Sequence, residues 1–186
     1  MNAILFRDLL MNLTLGLTAV CIALLLAVKP VTSDDQGKQP GNMVITAVWP
    51  SGPIDVDLWV RGPNEKIAVG YSNRAGRVFN LLRDDLGTMS DDLPLNYENS
   101  YSRGLPAGEY TVNLHYYRGA GEVPVAVEIR FGPTGQPAKL YLQETLDMRV
   151  AGQERTVITF RLDEHGNVTG SNRIFKPLRA VGKAVG

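Results

Sequence analysis

One cysteine and two histidines, Cys21, His115 and His165, are the only soft or borderline metal ligands of their kind in this 186-residue chain. A lone cysteine excludes a disulfide framework, and histidines so far apart leave no Cys/His spacing of a zinc site. Net charge is absent too. The 19 basic and 19 acidic residues cancel, which excludes the positive field that a nucleic-acid binder presents. There is no Gly-x-Ser-x-Gly elbow, no His-Glu-x-x-His pair and no glycine-rich phosphate loop before a helix. The sequence therefore points away from an enzyme. Long apolar runs are equally scarce, and the chain has one.

That run is residues 9–28, LLMNLTLGLTAVCIALLLAV, set between Arg7-Asp8 and Lys29-Pro30. At 1.5 Å per residue a helix of this length is roughly 30 Å long, the thickness of a bilayer's hydrocarbon core. A secretory signal peptide is the rival reading, with a tolerable cleavage site at Val31-Thr32-Ser33. The run is longer than a signal peptide needs and the preceding segment carries only Arg7 against Asp8, so a retained anchor is expected. Arg7 opposes Lys29 and Lys38 across the span, and charge alone barely sets the orientation. The few residues ahead of Arg7 cannot form a domain. The expectation is an N-terminus in the cytoplasm and a domain on the other side, in the periplasm of a bacterium, held at the inner membrane by a single pass.

On a helical wheel Asp8, Asn12, Gly16, Ala19, Ala23 and Ala27 fall along one stripe. Small residues admit a second backbone, and Asn can hydrogen-bond across helices. The stripe suggests a partner helix, either a second copy or a multi-span subunit; the plainer reading is ordinary Ala and Gly content in an anchor surrounded by lipid. Phe6-Arg7-Asp8-Leu9-Leu10 leading into the apolar run resembles the single-span subunits of proton-channel complexes of the Exb, Tol and flagellar stator type, over residues 6–28. That resemblance implies a proton-relay role for Asp8, and with it a second functional expectation: a single-span subunit of a proton-driven complex.

Thr32 to Asn42 (TSDDQGKQPGN) is polar and rich in Gly, Pro and Asp, as a tether is. From Met43 the pattern changes to period two, bounded by Gly, Pro and Asn turns. The alternation predicts strands over 43–49, 55–61, 66–71, 77–82, 109–117, 123–131, 138–146 and 154–162. An all-β, two-sheet sandwich of jelly-roll or immunoglobulin-like form follows. The organisation expected is a short cytoplasmic N-terminus over 1–8, a transmembrane helix over 9–29, a flexible linker over 30–42, the β-sandwich over 43–168 and a basic tail over 169–186. The tail (from 171, SNRIFKPLRAVGKAVG) reads as a disordered segment or, less favoured because of Pro177 and Gly182, a basic amphipathic helix. Residues 42–170 hold 12 basic and 16 acidic residues, a net of −4, against +4 from Arg173, Lys176, Arg179 and Lys183.

Asp55-Val56-Asp57-Leu58-Trp59-Val60, Gly62-Pro63-Asn64, Leu81-Leu82-Arg83-Asp84-Asp85-Leu86-Gly87, Asn96-Tyr97-Glu98, Pro106-Ala107-Gly108-Glu109-Tyr110-Thr111-Val112 and His115-Tyr116-Tyr117 occur in the order seen in the YfaP-like domain of bacteria. Residues 45–131 resemble that domain. The family brings no established catalytic residues, and the resemblance implies binding or adhesion.

The concentrated polar chemistry is acidic. Alternation on 55–61 puts Val56, Leu58 and Val60 in the core and Asp55, Asp57, Trp59 and Arg61 on the outer face. Two carboxylates at i and i+2 on one face repel unless something positive lies between them. The 83–98 loop adds Asp84, Asp85, Asp91, Asp92 and Glu98. Ca²⁺ accepts six to eight oxygens in flexible geometry, so Asp55, Asp57, Asp84, Asp85 and Glu98 are candidate calcium ligands. The favoured reading is plainer: these carboxylates pair with arginines or bond turn amides, and no cofactor is bound. His115 is expected on the surface of its strand. Trp59, Tyr97 and Tyr101 are candidate ligand-contact residues, since exposed aromatics suit carbohydrate or protein contacts. The function expected is a membrane-anchored, non-catalytic binding or envelope-interaction module.

Overall fold

The computed structural model describes residues 2–27, 41–87, 95–132 and 137–179. The linker up to residue 40, the site at Val31-Thr32-Ser33, Asp91, Asp92 and the end of the tail with Val181, Lys183 and Val185 lie outside them. The chain divides into two compact units, one with the N-terminal helix and one with the sheets.

Helix α1 runs Asn2–Ala27. It begins well ahead of the apolar run, so Phe6, Arg7 and Asp8 are helical rather than a separate N-terminal segment. Its described side chains, Ala3 to Leu24, are exposed, and this stretch is long and apolar enough to cross a membrane. Thr14 and Thr18 donate their hydroxyls back to Leu10, at 3.0 Å, and Thr14, at 2.7 Å. These two polar side chains are thereby satisfied within the helix, as a lipid-facing position requires.

The second unit is a β-sandwich of nine strands among the described residues. They are β1 (Met43–Trp49), β2 (Asp55–Arg61), β3 (Phe79–Arg83), β4 (Asn96–Ser102), β5 (Gly108–Arg118), β6 (Val123–Phe131), β7 (Lys139–Met148), β8 (Glu154–Leu162) and β9 (Val168–Asn172). One sheet has the order β3-β4-β1-β6-β7 and the other β2-β5-β8-β9; the paired neighbours are antiparallel. The alternating residues of β1, β2, β5, β6 and β8 meet in one core that includes Ile45, Leu58, Leu114, Ile129 and Phe160. Period-two alternation is what a strand with one buried face writes into a sequence. It put the limits of β1, β2, β6 and β8 where the structure has them.

Three segments differ from expectation. Residues 66–71 do not form a strand. Val69 makes a bridge to Val60, with N–H···O distances of 2.9 and 2.7 Å, and the chain turns back at once through Gly70 and Asn73. Strand β4 is a strand despite the composition NYENSYS. Its inward residues Asn96, Glu98, Ser100 and Ser102 are all fully buried, so its buried face is polar and no apolar alternation marks it. Hydrogen bonds replace apolar contact there: Asn96 donates to the Pro50 carbonyl at 3.0 Å and Ser100 to the Asn80 carbonyl at 2.9 Å. Finally, the sandwich does not end at 168. Residues 168–172 are β9, an edge strand with all five residues exposed, and 173–179 continue as an irregular strap across the outer face of the β2-β5-β8 sheet. Over the described residues the tail is neither disordered nor helical.

Candidate functional site

The strap changes what the outer face of β2 is. Asp55, Asp57 and Trp59, read from alternation as solvent-facing, are each under 4 % exposed. Leu178 is fully buried with Trp59 and Ala68 in a small second cluster. The sheet holds the strap by its backbone. Thr156 accepts from the Lys176 N–H at 2.9 Å, Asn113 donates to the Lys176 carbonyl at 2.8 Å, and Glu154 accepts from the Leu178 N–H at 2.8 Å. The Lys176 ammonium pairs with Glu109, which holds that carboxyl below its ordinary range.

His115 is likewise not a surface residue; it is 1 % exposed. Its position opposite Asp57 in the β2–β5 pairing decides this. Nδ1 of His115 lies 2.7 Å from Oδ2 of Asp57, and Nε2 lies 2.6 Å from Nη1 of Arg179 in the strap. A guanidinium can only donate, so Nε2 accepts and Nδ1 carries the proton that goes to Asp57. The imidazole thus stands between the strap and an acidic cluster.

That cluster assembles from three elements. Asp57 of β2, Asp84 of the loop after β3 and Glu98 of β4 bring carboxylate oxygens within 4.8 Å of one another. Glu98 reaches across from the other sheet. Its Oε2 accepts from the Leu58 N–H at 2.7 Å, on the edge of β2 that β5 does not pair, and its Oε1 takes the Asp85 N–H at 3.4 Å. Burial pushes the Glu98 carboxyl well above the ordinary range. Asp55, on the same face of β2 as Asp57, is pushed up to about 6 by burial and then by the Asp57 charge. A register shift between Asp55 and Val56 sets Asp55 opposite Arg118, whose Nη2 is 3.6 Å from Asp55 Oδ2. Oδ1 of Asp55 and Oδ1 of Asp84 are both buried and accept no hydrogen bond.

Of the five carboxylates picked out in the sequence, Asp57, Asp84 and Glu98 converge and Asp55 lies beside them. Asp85 is turned away. It pairs with Arg83 at 2.9 Å and accepts the N–H groups of Gly87 and Tyr97 at 2.9 and 3.0 Å, so it shapes the loop. Gly87, at φ +74°, closes that loop against the 52–54 turn, where a Cβ would lie 2.6 Å from the Ile54 carbonyl oxygen. Among the aromatic residues, Trp59 is covered by the strap. Tyr97 and Tyr101 are half-buried on the outer face of β4, with the Arg83 guanidinium 4.4 Å over the Tyr97 ring. Asp8, Asn12, Gly16, Ala19 and Ala23 are exposed along α1. His115, Arg118 and Arg179 were missed as site residues, because only strand pairing and the strap bring them to the acidic end.

No family model, curated protein or solved structure matches this chain. What the site does has to be read from its own residues.

Proposed function

We propose that this chain is a single-pass membrane protein that displays a non-catalytic β-sandwich binding module in the periplasm of a bacterial cell. One observation carries the reading: α1 exposes an uncharged, mostly apolar surface from Leu9 to Leu24, with the Thr14 and Thr18 hydroxyls bonded back to the helix. Such a surface is stable only in lipid or against another apolar helix. The sandwich supports the binding half of the proposal. Strand β4 holds Tyr97 and Tyr101 at a half-exposed face, and Lys176, Glu109 and Glu154 hold the strap in place. The stripe of Asn12, Gly16, Ala19 and Ala23 gives α1 a side on which a second helix fits.

Extraction tests the anchor. The full chain remains in the membrane pellet after alkaline carbonate washing, and a chain starting at residue 39 is released. Release of the full chain, or its recovery as a shorter mature protein lacking α1, contradicts the anchor.

A further inference from the structure

We propose that Asp57, Asp84 and Glu98 form a binding site for a hard divalent cation of the calcium class, with Asp55 as a further oxygen donor beside them. Acidic clusters are common on surfaces, where water screens them; this one is walled in. Glu98 is fully buried and Asp57 nearly so. Asp57 and Glu98 are directed to one place from different sheets by separate hydrogen bonds, from His115 and from the Leu58 N–H. Among the described residues no ion pair neutralises Asp84 or Glu98. Arg83 pairs with Asp85, and Arg118 reaches Asp55 only at 3.6 Å.

A second observation is independent of the convergence. Asp55 is 2 % exposed, stands on the Asp57 face of β2, and leaves Oδ1 with no hydrogen bond. Asp84 leaves its own buried Oδ1 unpartnered in the same way. Buried carboxylate oxygens without donors are costly, and a cation held by the Asp57–Asp84–Glu98 group beside Asp55 offsets that cost. The donors are oxygen only, which selects hard cations over zinc or copper. Side chains on two strands and a loop, at the edge of a sandwich, give the loose multi-oxygen cage that suits Ca²⁺ better than the strict octahedron of Mg²⁺.

The surroundings fit a ligating role. His115 donates to one oxygen of Asp57 and leaves the other for a cation, as outer-shell partners of metal-bound carboxylates do. A cation here joins β2 of one sheet to β4 of the other and to the 84–87 loop, so it clamps the open edge of the sandwich. Affinity in the range of extracellular calcium modules, on the order of 10⁻⁴–10⁻³ M, is expected.

The test uses the full chain in detergent, stripped with chelator and titrated with CaCl2 or MgCl2 to roughly 10 mM, read by calorimetry and thermal unfolding. Calcium raises the unfolding midpoint and gives a saturable heat, and magnesium does so more weakly. Asp84→Asn, a half-buried loop substitution, leaves the protein folded and weakens calcium binding about 10–100-fold, the loss typical of a missing metal-site group. Asp163→Asn, in an exposed turn away from the cluster, leaves binding unchanged. No heat and no midpoint shift with a folded protein overturns the proposal, as does a calcium response that survives Asp84→Asn. The anchor does not enter this experiment, so its outcome is separate from that of the extraction test.

Discussion

Gly70 lies so close to the Trp59 indole that a Cβ would sit 2.6 Å from the ring. The contact leaves no room for a side chain at position 70, where the 66–71 segment turns back over Trp59. Gly70→Ala is expected to cost about 1–3 kcal/mol, the usual penalty for overpacking, read as a lower denaturant midpoint with unchanged slope. At this scale the sequence was legible where a residue's role depends on its own strand: Val56, Leu58 and Val60 face the core as alternation requires. It was illegible where a neighbour decides. Asp57 and His115 look like surface residues until β2 and β5 are paired and a strap 64 residues beyond His115 closes over them. His115→Ala is expected to cost about 1–3 kcal/mol, because it leaves a buried Asp57 oxygen without its donor. Chemical denaturation measures it.

Among the elements, the strap carries the most information that composition concealed. IFKPLR reads as a basic tail because its one deeply buried side chain, Leu178, is surrounded by charged and polar neighbours. Leu178→Ala is expected to cost about 2 kcal/mol, the lower end for a buried leucine, since it packs into a small cluster and not the main core. Loosening of the strap is expected to shift Trp59 fluorescence to longer wavelength. Acid should act on the same contact. Glu109 has its carboxyl held below the ordinary value of 4.5 by Lys176, so the folded state binds fewer protons there than the unfolded chain. The contribution of this group is full above about pH 4.5 and is lost as pH falls below it. Glu109→Gln should therefore flatten the acid side of the stability profile. Strand β4 was hidden for a related reason: its buried face is Asn, Glu and Ser, and hydrogen bonds to chain segments far away in sequence stand where apolar side chains normally do. In α1 the open space around Gly16, where a Cβ meets nothing within 4 Å, means that its own helix does not require glycine. Gly16→Leu should leave insertion intact and reduce helix self-association in a membrane reporter assay, if a second copy is the partner.

At the scale of the whole molecule, the chain places a lipid-compatible helix before a sandwich whose two sheets are closed at one edge by carboxylates and over one face by the chain's own C-terminal segment. The class of each part, one apolar helix and a two-sheet sandwich, was plain from length and periodicity, because both signals are local. The arrangement of polar groups at the sandwich edge was legible only as a composition, five carboxylates in two segments. Long-range pairing chose three of them. The proposed periplasmic display requires that the sandwich lie across the membrane from the cytoplasm, and Cys21, the chain's only cysteine, makes this measurable because it sits within α1. Glu164→Cys puts a thiol on an exposed turn of the sandwich. In intact cells with a permeabilised outer membrane, a membrane-impermeant maleimide is predicted to label the Glu164→Cys chain fully and the parent chain not at all. Labelling that appears only after the inner membrane is broken would contradict the account.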